Sequence, residues 1–170
     1  MEMLIVSGMF SILIIVIASI FVSAIRIENK VFATKKVLSQ VSYSVEYMTR
    51  AIRMAEKDTV GDCISRGDNY EISGVNDDNI TFKNALQDGN CQIFYLNNGQ
   101  IKIQDFVTGT DFDLTSSDVE ISNLSFTANG EQQGDIFQPF ITIYLEAQSS
   151  DSPILEIQTS VSQRNPDITR

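Results

Sequence analysis

The sequence predicts an α+β fold: one long N-terminal helix that runs on as an amphipathic helix and packs on an antiparallel β-sheet. Three features carry this expectation. Residues 3 to 25 are 23 uncharged residues dense in Ile, Val, Leu, Met and Phe. A three-four spacing of apolar residues follows, with no Pro or Gly between Arg26 and Val60. Beyond Gly61 the apolar spacing changes to two, the period of a strand.

The first element is the apolar helix over 1–25. At 1.5 Å per residue, Met3 to Ile25 would reach roughly 34 Å, enough to cross a hydrocarbon core. The alternative is a cleavable secretory signal, since Val22-Ser23-Ala24 supplies small residues where a signal peptidase cuts. Against it, the run is long for a signal core, and Met1-Glu2 provides no basic residue ahead of it.

The second element, over 26–58, is the amphipathic extension. Leu38, Val41, Val45, Met48, Ile52 and Ala55 form one stripe, which earlier turns join through Ile27, Val31 and Thr34. Both segments therefore read as one rod, about 80 Å long. A sustained heptad stripe also suits a coiled-coil seam. Packing on the chain's own strands is preferred, because those strands need a covering layer. The helix is expected to stop between Asp58 and Gly61.

The third element, over 59–170, is a β-rich head. Its expected strands are Tyr70–Ile72, Ile80–Phe82, Gln92–Leu96, Ile101–Phe106, Val119–Phe126, Phe140–Ala147 and Ile154–Val161. Asn97-Asn98-Gly99 is the strongest hairpin signal, because Asn and Gly accept positive φ. The last two strands form a terminal hairpin across Ser149–Pro153, with one buried face.

Composition narrows the function classes. The net charge of -10 is unevenly placed: residues 1–57 hold seven Lys/Arg and four Asp/Glu, residues 58–170 five and eighteen, or +3 against -13. A head that acidic repels phosphates, so no nucleic-acid partner is expected. The chain has no His, which removes the commonest general base and the commonest transition-metal ligand. Ser, Asp and Glu fall in no nucleophile elbow and no phosphate-cradling glycine loop. Neither catalysis nor a cofactor is expected.

Cys63 and Cys91 are the only cysteines. In a domain outside the cytoplasm such a pair reads as one disulfide, and its loop would contribute about 3.5 kcal/mol in the chain-entropy model. Two buried thiols or a redox pair are the alternatives. No CxxC spacing supports the latter.

Asp105, Asp111, Asp113 and Asp118 lie in a loop-like stretch, and acidic loop oxygens suit Ca²⁺. No twelve-residue calcium-loop pattern is present there or at Asn76-Asp77-Asp78-Asn79, so a solvated acidic loop with no metal is the expectation.

An acidic residue just before an apolar helix, then an amphipathic extension, then a small antiparallel domain, resembles the type IV pilins and the pseudopilins of type II secretion. Glu2-Met3-Leu4-Ile5-Val6 is similar to the end of their N-terminal motif, in which a basic leader ending in Gly precedes Phe-Thr-Leu-Ile-Glu. Glu2 matches the motif's Glu, and Met1 stands where its Ile would be. The motif's Gly, Phe, Thr and Leu are absent from this sequence, so the leader is expected upstream, through a start codon set too late or a trimmed chain. The resemblance is specific over residues 1–57 and architectural over 58–170. The large head, the lone cysteine pair and the missing helix-distorting Pro look more like a minor pilin or minor pseudopilin than a major subunit.

The resemblance implies a structural subunit that is processed by a prepilin peptidase and held in the bacterial inner membrane by a single pass, head outside the cytoplasm. It would then join other pilin or pseudopilin subunits in a periplasmic or cell-surface filament. Arg26, Lys30, Lys35 and Lys36 flank the span and by themselves would orient its C-terminal side inward; the family's basic leader reverses that. Glu2 would pair with a neighbour's N-terminal amine during assembly. Read from the residues alone, Glu2 equally suits the positive end of a helix at the membrane boundary. The competing function is a single-pass, membrane-anchored extracytoplasmic binding domain that forms no filament.

Overall fold

In the computed structural model, residues 2–85, 89–105, 109–130, 138–150 and 152–164 are described. Met1 and Phe106, the last residue of one expected strand, lie outside them, as does the end of the head beyond Arg164. The fold is α+β, with helix α1 (Glu2–Arg53) followed by antiparallel strands.

Among the described residues nine strands follow the helix: β1 (Ala55–Glu56), β2 (Glu71–Ser73), β3 (Asn79–Asn84), β4 (Asn90–Asn97), β5 (Gln100–Asp105), β6 (Thr110–Asp113), β7 (Glu120–Asn129), β8 (Phe140–Gln148) and β9 (Leu155–Ser162). They form two sheets rather than the single sheet expected. One runs β1-β3-β4-β5-β6 with β2 also on β3, and the other runs β7-β8-β9. The amides of Ile121 and Phe126 donate to the carbonyls of Gly99 and Asp77, joining β7 to the ends of the first sheet. Both sheets and the helix share one core, which includes Met48, Ile52, Phe82, Phe94, Phe126, Ile143 and Leu145.

Both expected hairpins are present. Asn97 pairs with Gln100 across a two-residue turn, where Asn98 has φ 51° and Gly99 φ 73°. Positive φ at both positions gives the turn the twist that strands prefer. In the terminal hairpin Leu145 lies opposite Ile157 and Ala147 opposite Leu155. Ile141, Ile143, Leu145 and Ala147 line its buried face.

The helix ends at Arg53, five residues or more before the expected stop. Nothing local in Arg53-Met54-Ala55 breaks a helix; the end is imposed by the rest of the chain. A helix leaves its last carbonyls unpaired, and distant groups take them here. The Ile52 carbonyl accepts from the Tyr70 hydroxyl at 3.2 Å, and that of Arg53 from the Arg164 amide at 2.8 Å. The Met54 carbonyl accepts from the Ala85 amide at 3.0 Å, and that of Ala55 from Gln163 Nε2 at 2.8 Å. Ala55 and Glu56 then pair with Asn84 and Lys83 as an edge strand.

The buried face of α1 also differs from the expected stripe. The head buries Val37, Val41, Ser44, Met48 and Ile52, whereas Leu38 is 47% exposed. A strict heptad stripe turns about 20° per heptad around a straight helix. It coincides with the head at Ile52 and Met48 and has turned away from it by Leu38. Ser44 lies on the covered face because its hydroxyl reaches the carbonyls of Gln40 and Leu114, at 2.9 and 3.0 Å.

Candidate functional site

Every residue of α1 from Glu2 to Phe32 is exposed. The head begins to cover the helix only near Ala33, so about 45 Å of rod projects from it. An 18-residue window of this rod has mean hydropathy 2.8 and no buried residue, and the helix is long and apolar enough to cross a membrane. Met3, Leu4, Ile5, Val6, Phe10, Ile12 and Ile15 are each more than 60% exposed.

Three of the hydroxyls inside this segment are already satisfied. The Ser7 hydroxyl donates to the Leu4 carbonyl at 3.1 Å, that of Ser11 to Ser7 at 2.8 Å, and that of Ser19 to Val16 at 2.8 Å. A hydroxyl turned back on its own helix can enter lipid or a protein interface without losing a partner. A methyl group added at Gly8 would meet nothing within 4 Å, so the backbone is open to close approach there. Glu2 sits in the first turn of α1, exposed.

Opposite the free rod, the second half of α1 is fastened to the head. Lys36 Nζ lies 2.7 Å from Asp118 Oδ2. Gln40 both accepts from the Ser116 amide, at 3.0 Å, and donates to its hydroxyl, at 2.8 Å. Together with the capped carbonyls at Ile52–Ala55, these contacts tie the helix to the loop before β7 and to the end of β9.

Cys63 and Cys91 are joined in a disulfide with Cα atoms 5.4 Å apart, so the loop after α1 is linked to β4. Sequence reasoning missed the group that shapes this loop. Asp58 has no solvent exposure. Its Oδ1 accepts from the amides of Val60 and Gly61, at 3.0 and 2.7 Å, and its Oδ2 from those of Cys63 and Ile64, at 2.8 and 3.2 Å. Burial alone would raise its pKa, but the four amides outweigh that and hold the carboxyl well below the usual range. The usable signal was Asp58 followed by Gly61, an Asp that can bond its own backbone in a turn.

The four carboxylates considered for calcium do not share a loop. Asp111 and Asp113 stand in β6, an exposed edge strand, and Asp105 ends β5. Nothing is described of the Asp105 side chain. Asp113 Oδ1 lies 2.8 Å from Lys102 Nζ, whose pKa rises because of that hydrogen bond. Burial, then hydrogen bonding to Asp111, raises the pKa of Tyr95. Asp118 is taken by Lys36. Among the described residues no group of three His, Cys, Asp or Glu is placed to hold a metal ion.

The structure therefore brings together Cys63 and Cys91, and leaves Glu2 alone at the far end of the rod. The surface most in need of a partner is the rod itself. No family model, curated protein or solved structure matches the chain.

Proposed function

We propose that this chain is a structural subunit of a helical filament, of the minor pilin or minor pseudopilin kind, with no catalytic role. The observation that carries the reading is the unbroken 52-residue helix, free and apolar at one end and fastened into a β-head at the other. A surface of this size cannot remain in water: the sixteen large apolar side chains exposed between Met3 and Ile25, at about 1.5–3 kcal/mol each, make burial favourable by tens of kcal/mol. Lipid meets that need before assembly and neighbouring helices meet it afterwards. Because lipid and helix are equally apolar, close packing at Ser7, Gly8, Ser11, Ala18 and Ser19 and an ion pair at Glu2 would decide the exchange. The fastened second half then turns any pull on the rod into movement of the head.

In this reading the protein waits in the bacterial inner membrane with its acidic head outside the cytoplasm, and its partners are other pilin-like subunits. The Cys63–Cys91 disulfide suits that compartment.

The test is mechanical shearing of producing cells, followed by sedimentation and detection of the chain. Wild-type chain is expected in the sheared fraction. Glu2→Ala is expected to stay in the membrane at normal abundance and disappear from that fraction. Equal recovery of Glu2→Ala would remove the assembly role of Glu2, and a wild-type chain never found outside the membrane would favour the anchored binding domain.

A further inference from the structure

Strand β9 lies at one side of the second sheet, and among the described residues no strand pairs with its outer edge. The Gln163 amide donates to the Pro139 carbonyl, which fixes the alternation of the β8–β9 ladder. The odd-numbered residues of β9 therefore bond to β8, while Glu156, Gln158, Ser160 and Ser162 turn their amides and carbonyls outward. All four residues are exposed.

The other sheet edges are blunted. Strands β1 and β2 are two and three residues long. Strand β6 has four residues, two of them Asp. The outer side of β7 is held at Ile121 and Phe126 by the carbonyls of Gly99 and Asp77. Short length, charge and covering are the means by which folds keep an edge from pairing with another chain. None of them protects β9, which runs eight residues in unbroken register with one charge and no Pro.

The flanks of β9 define the strand that would pair there. On the core side Leu155 and Ile157 are only half-buried, so they offer apolar surface to alternate side chains of an added strand. On the opposite face Glu156 stands directly across from Glu146. Among the described residues neither carboxylate is in an ion pair. Like charges directly opposed across a ladder are unfavourable, and a cation beside Glu156 relieves them. A second copy would instead bring another head of charge -13, which repels the first.

We propose that β9 is a strand-addition site for an extended segment of another protein, paired antiparallel, apolar at alternate residues and carrying Lys or Arg opposite Glu156. The main-chain ladder supplies attachment, and the Glu156 charge sets the register. The site lies on the head, so it holds whether α1 ends in lipid or among sister helices.

The probe is a trace of fluorescent peptide, Thr-Val-Thr-Val-Thr-Val-Lys-Val, whose anisotropy is followed as full chain in detergent is added. Saturable binding is expected with a Kd below about 1 mM. N-methylation of the second and third Thr blocks N–H groups aimed at β9 and should abolish it. N-methylation of the second and third Val blocks N–H groups aimed at solvent and should leave it unchanged. Glu156→Lys should weaken binding by about tenfold. Gln158→Pro removes an outward N–H and no bond to β8, a place where an edge strand accepts Pro, so it should keep the parent's melting temperature and lose the peptide. If that variant fails to fold, the two methylated peptides decide the matter on the parent chain. No saturable binding to the parent, equal loss with both methylation patterns, or undiminished binding to Glu156→Lys would overturn the site. A chain that sediments as a dimer without peptide, and as a monomer in Gln158→Pro, would give the edge to a second copy and overturn it as well.

Discussion

Replacing Asp58 by Asn probes how the head is joined to its helix. The change preserves size but turns one accepting oxygen into an amide donor, so two of the four backbone N–H groups at Val60, Gly61, Cys63 and Ile64 face a donor. A hydrogen bond to a charged acceptor contributes about 1.5–3 kcal/mol. With part of the loss recovered by loop relaxation toward water, the expected destabilisation is about 3 kcal/mol. For a head of this size that lowers the Tm by roughly 10 °C. Thermal unfolding of the full chain in detergent, followed by near-ultraviolet circular dichroism with the disulfide intact, is the assay.

The pH dependence has a definite sign. A carboxyl held below its ordinary value of 3.8 stabilises the fold fully above that value and loses the contribution as pH falls below it. The gap between parent and Asp58→Asn should be constant from about pH 5 to 8 and narrow below about pH 4. A variant melting within about 2 °C of the parent at pH 7, or a gap unchanged by acid, would refute the role given to this carboxylate.

Other expectations follow from the same packing. Thiol labelling of the unfolded chain should be absent until reductant is added, and Cys63→Ser with Cys91→Ser should lower stability by about 3 kcal/mol in denaturant titration. Met48→Ala removes a fully buried side chain beneath the head and should cost about 2–5 kcal/mol in the same titration, whereas the exposed Tyr43→Ala should cost under about 1 kcal/mol. The Tyr144 hydroxyl donates to Glu146 Oε1 at 2.6 Å, and chiefly for that reason its pKa is pushed up to about 12. Ultraviolet titration should show the latest tyrosine phase moving earlier in Glu146→Gln, with the raised Tyr95 left in place. The contribution of the Tyr144 bond to stability is complete below the ordinary value of 10 and is lost as pH rises through about 12.

Features that depend on neighbouring residues in the chain were legible in the sequence. The helix, the change of period after Gly61, and the Asn98-Gly99 turn each follow from local sterics or a local apolar pattern. Features imposed from a distance were not. The helix stops at Arg53 because Tyr70, Arg164, Ala85 and Gln163 take its terminal carbonyls and their neighbours. Strand β6 reads Thr-Asp-Phe-Asp, exposed throughout, and it exists because β5 offers it a ladder; nothing apolar marks it. Val37 displaces Leu38 from the core because heptad spacing drifts on a straight helix. Ser44 is buried through a carbonyl at Leu114, seventy residues away. At the candidate site, the apolar rod and the cysteine pair were readable from composition and count. The Gln40–Ser116 clasp was not, since it needs the folded backbone around it, and of the Asp58 cradle only the turn signal of Asp58 with Gly61 was.

The exchange of lipid for sister helices is best measured with a photoactivatable cross-linker in place of Ile14, midway along the exposed span. In membranes the adduct is expected to be lipid. In chain released by shearing it is expected to be the N-terminal helix of another subunit. Lipid adducts in both fractions, or no chain released by shearing, would contradict assembly through this helix.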